Sequence, residues 1–176
     1  MAGRQISAIK IKQLRYAEPL GTAPTKEGLK MAFDKAIKIL NSHQGTFQYE
    51  ETEPTVNKYK NDLTGQVYRS DMEPGDVSMR FSVGQYDMET KAALQGGTAG
   101  DTGSSWSRGK AAQRYKCMYA LTEDNVCIVF PKANIIGTGS SVDNAIAIAM
   151  QAIPQEVSGT VASEYWFDAQ GLSLQE

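Results

Sequence analysis

The chain has few of the residues from which catalytic and metal centres are built. Among 176 residues there is one histidine, His43, and there are two cysteines, Cys117 and Cys127. A histidine base would have to be His43, which sits beside Asn41, Ser42 and Gln44 with no nucleophile signature around it. Such a histidine reads as a surface or hydrogen-bonding residue. Zinc needs several Cys and His ligands at set spacings, and His43, Cys117 and Cys127 are scattered, so no metal site is expected. Long apolar runs are missing too. Stretches such as 126–130 and 145–150 fall far short of the roughly 18 residues of a membrane span. The start, MAGRQISAIKIKQL, lacks the continuous apolar core and small-residue cleavage site of a secretory signal, so the expectation is a protein that stays in the cell that makes it. An excess of basic charge is also absent: a net charge of −2 and a pI near 5.5 leave no global field for holding nucleic acid through its phosphates. A surface past which DNA slides without sticking is compatible with that balance.

Known chemical templates fit poorly. Gly103 to Lys110 is shaped like a phosphate-cradling loop, but the spacing from Gly103 to Gly109 is one residue too long and Ala111 stands where a hydroxyl is required. Gly137-Thr138-Gly139 lacks the third glycine of a dinucleotide fingerprint and the surrounding βαβ unit. The pair Asp71 and Glu73 lies in a turn-rich stretch, where carboxylates face solvent. No enzyme and no cofactor are expected.

What is present is a globular composition, 41% hydrophobic and 22% charged, at a length that suits one core and is short for two. The clearest stretch is VSMRFSVGQYDMETKAALQGG, from Val77 to Gly97. Val77, Met79, Phe81 and Val83 alternate with Ser78, Arg80 and Ser82, the period of a half-buried strand. Gly84 breaks that pattern, Asp87 caps a short helix through Met88, Thr90, Ala92 and Leu94, and Gly96 and Gly97 close it in the left-handed conformation.

Elsewhere, Ile6 to Tyr16 reads as an opening strand with lysines guarding an edge. Thr25 to Leu40 fits both a helix and, at Ile37 and Ile39, a strand; Pro24 and Glu27 favour a helix from about Lys26. Gly45 to Glu51 reads as a strand with Phe47 and Tyr49 on one side. Pro54 to Gly75 is a hairpin or a long extended arm. Gly96 to Gly109 is a flexible loop whose one large side chain, Trp106, either folds back on its own domain or anchors a partner.

Tyr115 to Leu121 and Val126 to Phe130 form a hairpin around Glu123 to Asn125, with Pro131 ending the ladder. Ala133 to Ile136 resumes before a turn at Gly137 to Ser141. Asn144 to Ile153 alternates Ile146, Ile148 and Met150 with bare alanines; a helix from Ser141 would also fit, and the unbroken alternation favours a strand. Val161 to Asp168 is the last strand, and the tail from Gly171 is expected to be loose. If the turn is centred on Glu123 and Asp124, Cys117 and Cys127 point to opposite faces and do not pair. The fold expected is mainly β: an antiparallel β-sandwich or barrel with one or two flanking α-helices.

The order of strand, short helix, Gly-Gly and glycine-rich loop resembles the major tail (tail tube) proteins of long-tailed bacteriophages and prophages. FSVGQYDMETKAALQGG, CIVFPKANIIGTG and SSVDNAIAIAMQAIPQE carry the likeness, which runs from about Gly45 onward. The resemblance implies a single tail-tube-like domain over residues 1–176 and a structural virion protein, made in the bacterial host cytoplasm and located in the tail. Its subunits would form hexameric rings that stack into a channel for DNA, with tape-measure and tail terminator proteins as partners. On that reading the subunit interface uses the arm with Tyr59 and Tyr68, the loop with Trp106, and Gly137 and Gly139. The acidic run Glu50, Glu51 and Glu53 is either a plain solvated face or a lumen surface that repels DNA. Two other readings share the architecture: the tube of a contractile injection or type VI secretion machine, and a monomeric β-barrel binding a small ligand.

Overall fold

A computed structural model of the chain describes residues 5–174. In chain order its elements are β1 (Ile11–Ala17), α1 (Lys26–Lys35), β2 (Ile37–Lys38), β3 (Asn41–Ser42), β4 (Gln48–Glu51), β5 (Thr55–Lys60), β6 (Val67–Glu73), β7 (Val77–Gln85), α2 (Met88–Gln95), β8 (Thr98–Ala99), β9 (Trp106–Ser107), β10 (Tyr115–Thr122), β11 (Val126–Val142), β12 (Ala145–Pro154) and β13 (Tyr165–Asp168). The protein is mainly β with two helices, as its alternating sequence dictates. One nine-stranded sheet, in the order β2-β1-β10-β11-β12-β7-β3 with β13 beside β11 and β4 beside β7, curls into an antiparallel half-barrel. None of the helices among the described residues is long and apolar enough to cross a membrane.

Alternation gives the sheet two apolar faces. Leu14, Tyr16, Met79, Phe81, Val83, Met118, Ala120, Ile128 and Phe130 fill one face, where Leu94 of α2 also packs. Cys117, Tyr119, Leu121, Cys127 and Val129 form the other, covered by Leu29 and Phe33 of α1 and by Leu172 and Leu174. Of the tail expected to be loose, residues 171–174 are docked through Leu172 and Leu174, and residues 175 and 176 lie outside the described residues. The turn between β10 and β11 is centred on Asp124, with Leu121 opposite Cys127 and Asn125 at φ 59°. That odd-numbered turn places both cysteines on the same face, correcting the expected opposite parity; both are free thiols.

β11 runs 17 residues and carries further corrections. Pro131 does not end the ladder. The pairing steps from Met118↔Phe130 to Lys116↔Ala133, so β11 holds one residue more than β10 at Pro131 and Lys132. This bulge uses a residue that has no N–H to lose, and its carbonyl accepts from Leu20 N at 2.9 Å. It also exchanges the inward parity, from Ile128 and Phe130 to Ala133 and Ile135. Gly137 to Ser141 is not a turn but the middle of the β11–β12 ladder, and the reversal comes at Asp143 and Asn144, both with positive φ (48° and 65°). Two successive residues of that kind make the turn whose twist suits a tight hairpin.

Other boundaries move for local reasons. β1 starts at Ile11, after Lys10 at φ 50°, and lies between β10 and β2 instead of at an edge. α1 begins at Lys26 with Thr25 Oγ1 accepting from Gly28 N, and the strand pattern of Ile37 follows it in sequence, so both readings of that stretch hold in turn. β4 begins at Gln48, after a turn in which Gly45 has φ 75° and Thr46 N donates to His43 O at 3.2 Å. Ile146 alternates in step with the buried Ile148 and Met150 but is 72% exposed near the hairpin tip. Val161 forms only an isolated bridge, and β13 proper starts at Tyr165.

Arg15 is the least expected element of the interior. It is 4% exposed, and its Nη1 donates to the carbonyls of Phe33 (3.2 Å), Asp34 (3.4 Å) and Ala36 (3.4 Å). A cation from β1 thus satisfies the last carbonyls of α1 and sits at the negative end of the helix dipole. Its guanidinium also lies 4.6 Å from the Phe33 ring.

Candidate functional site

The arm is a hairpin, β5 and β6, forming a two-stranded sheet of its own. Register runs from Thr55↔Glu73 to Lys60↔Val67, and Arg69 braces it by binding both carboxylate oxygens of Asp71 at 3.0 Å and lying 5.7 Å from the Tyr59 ring. At the tip Asn61 N donates to Gln66 O at 2.8 Å. Its apolar side chains are bare: Leu63 is 94% exposed, Tyr68 and Met72 70% each, and Val56, Tyr59 and Val67 just under half. An isolated hairpin is marginal in water, so this arm has more apolar surface than its own strands can bury.

The loop from Gly96 to Gly109 is shorter in freedom than its glycine and serine content suggests. β8 and β9 pair within it, and Trp106 folds back on its own domain, its Nε1 donating to Gly96 O at 2.8 Å. Lys91 of α2 lies 4.6 Å from the Trp106 ring. α2 itself is capped as expected: Asp87 Oδ1 accepts from Thr90 N at 2.6 Å, and that bond holds its carboxyl below the usual range. Gly96 closes the helix at φ 89° and ψ −177°, a positive-φ conformation outside the left-handed helical region expected for it. Gly137 lies beneath this helix end: a Cβ there would stand 2.5 Å from Leu94 O and 2.9 Å from Gln95 Cα. The close approach explains the glycine without a turn. Gly139, further along, is exposed.

A cavity of about 880 Å³ opens on the first apolar face, lined among others by Ile11, Leu14, Ile39, Phe47, Tyr49, Ile128 and Trp166. Tyr49 and Trp166 meet edge to face at 5.5 Å. Both donate to Glu164 Oε1, Tyr49 at 2.8 Å. Burial, first, and then the Glu164 carboxylate push the Tyr49 hydroxyl well above its ordinary range. This aromatic and acidic group was missed in the sequence, where Glu164 and Trp166 are one strand turn apart and Tyr49 is far away.

Glu50 and Glu51 lie on β4 at the sheet margin with Glu53 just beyond; Glu50 pairs with Arg80 at 3.3 Å. His43 Nε2 contacts Asp143 Oδ2 at 2.8 Å, tying the β3 region to the β11–β12 turn. Among the described residues, no group of three or more His, Cys, Asp or Glu side chains could hold a metal ion. Burial raises the thiols of Cys117 and Cys127 to about 12, which leaves them protonated and unreactive at neutral pH. The chain matches no model of a known protein family. It matches no curated protein either.

Proposed function

We propose that this chain is a structural subunit of a phage tail tube, self-assembling into stacked rings around a channel for DNA. The observation that carries the reading is the arm: a hairpin standing off the half-barrel with Leu63, Tyr68 and Met72 in water. Apolar surface of that extent is covered in the working state, and a second copy of the same chain is always at hand to cover it. A head-to-tail contact of this kind closes into a ring when the rotation between subunits closes, and stacking along the axis extends the ring into a tube. On this reading tape-measure and terminator proteins meet the tube at its lumen and ends, and DNA passes without specific binding.

Light scattering on the eluting peak across a concentration series, with negative-stain images of the same fractions, tests it. Rings or tubes are expected. A strict monomer at every concentration sinks the proposal and favours the second reading, a small-ligand binder. That reading has the cavity beside Tyr49 and Trp166 in its favour, since its size suits a small molecule.

A further inference from the structure

We infer that a basic pocket at the C-terminal end of α2 receives the acidic run Glu50, Glu51 and Glu53 of a second copy of this chain. The inference rests on the self-assembly reading and names its contact. The pocket, about 580 Å³, is lined by Arg108, Lys110 and Arg114 together with Gly96, Gly97 and Trp106, and no Asp or Glu lines it. None of these cations is in an ion pair of the described residues.

Arg114 is held in place without being neutralised. Its Nη1 donates to Ala112 O and its Nη2 to Leu94 O, both at 3.3 Å, and its Nε is buried with no partner. Carbonyls orient a guanidinium but leave its charge intact, so the group is preorganised for an anion. Lys91 and Arg108 flank Trp106 at 4.6 and 5.4 Å and add positive potential. The acids of α2, Asp87 and Glu89, do not line the pocket.

The acidic run has the complementary character. Glu50, Glu51 and Glu53 are exposed; Glu51 and Glu53 are in none of the described ion pairs, and Glu50 has only the solvent-exposed Arg80. The two patches lie on different strands, the acids on β4 at the sheet margin and the pocket beside β11 in the middle of the sheet. Tyr49, Met79, Ala152 and Ile135 form one row across β4, β7, β12 and β11, with the acids at the β4 end and the pocket at the β11 end. Strand spacings of about 4.8 Å put on the order of 14 Å between them along the sheet. Complementary patches held that far apart do not satisfy each other within one subunit, and a head-to-tail contact between copies brings them together. The acidic run then faces a neighbouring subunit and not the channel.

The test uses two full-length variants, R108E/K110E and E51K/E53K, whose altered side chains are all exposed; unchanged circular dichroism and melting confirm folding. Each alone opposes like charges and should raise the concentration for half-assembly at least about tenfold. An equimolar mixture should assemble as the wild type does, because every contact between unlike variants again joins opposite charges. Independently, raising salt should weaken wild-type assembly. Variants that assemble like the wild type, a mixture that fails to recover, or assembly indifferent to salt would each overturn the inference while leaving self-assembly standing. A wild-type chain that never assembles would overturn both.

Discussion

The β11–β12 hairpin and the β5–β6 arm are both antiparallel ladders, yet they differ in what packs on them. The first is continuous with the sheet: Ile135, Ile148, Met150 and Ala152 are buried, and α2 rests on Gly137. The second has a ladder from Thr55↔Glu73 to Tyr59↔Arg69, an irregularity before Lys60↔Val67, and almost nothing packed on it. Ladder bonds therefore do not distinguish a hairpin seated in the core from a bare one; what lies on the side chains does, because net stability comes mainly from buried apolar area. The body should carry the folding energy and the arm the association energy.

The largest effect should come from alkali acting on the body. Folding holds the thiols of Cys117 and Cys127 at about 12, against an ordinary value of 9.0. Between those values the unfolded chain ionises them and the folded chain does not, so their contribution is intact below pH 9 and is lost progressively as pH rises toward 12. Urea midpoints from pH 8 to 11 should fall, and an alkylating reagent at pH 8 should leave the native thiols unmodified. Full labelling without unfolding would mean the sheet face under α1 is open.

Next is Gly137→Val, which drives a side chain into Leu94 and Gln95 and should cost about 2–3 kcal/mol; thermal unfolding measures it, and an unchanged midpoint would show that α2 is not seated there. The smallest effect on stability belongs to the arm. Leu63→Asp should change it by less than about 0.5 kcal/mol, as for other exposed positions, while reducing ring or tube formation in the scattering series. A large loss of stability with assembly intact would reverse the assignment of the two hairpins.

Sequence patterning reaches as far as local physics does. β7 and α2 are legible because alternation at Met79, Phe81 and Val83 and the cap at Asp87 act within a few residues. The arm is legible as a hairpin from its turn signals, though its lack of any covering element is not. Pro131 misleads because a bulge exists only relative to a partner strand, and Gly137 because its close neighbour, Leu94, belongs to a helix far earlier in the chain. The side on which Cys117 and Cys127 fall turns on a single residue of turn length. Arg108, Lys110 and Arg114 are plain in the sequence as cations, but the phosphate-loop template draws attention to their glycines; only folding brings Arg114 and the end of α2 to one wall.

Arg15 carries a consequence for the order in which the chain can mature. α1 has 10 residues, too short to persist alone in water. Its closing cation comes from β1, which pairs on one side with β2, directly after α1 (Arg15↔Lys38), and on the other with β10 (Arg15↔Tyr119). As the chain leaves the ribosome, α1 can take its closure from the neighbouring β1–β2 pair, while β10, which encloses β1 on its other side, follows the helix by about eighty residues. Closure of this helix is local in sequence, and its burial against Tyr119 and Leu121 is not.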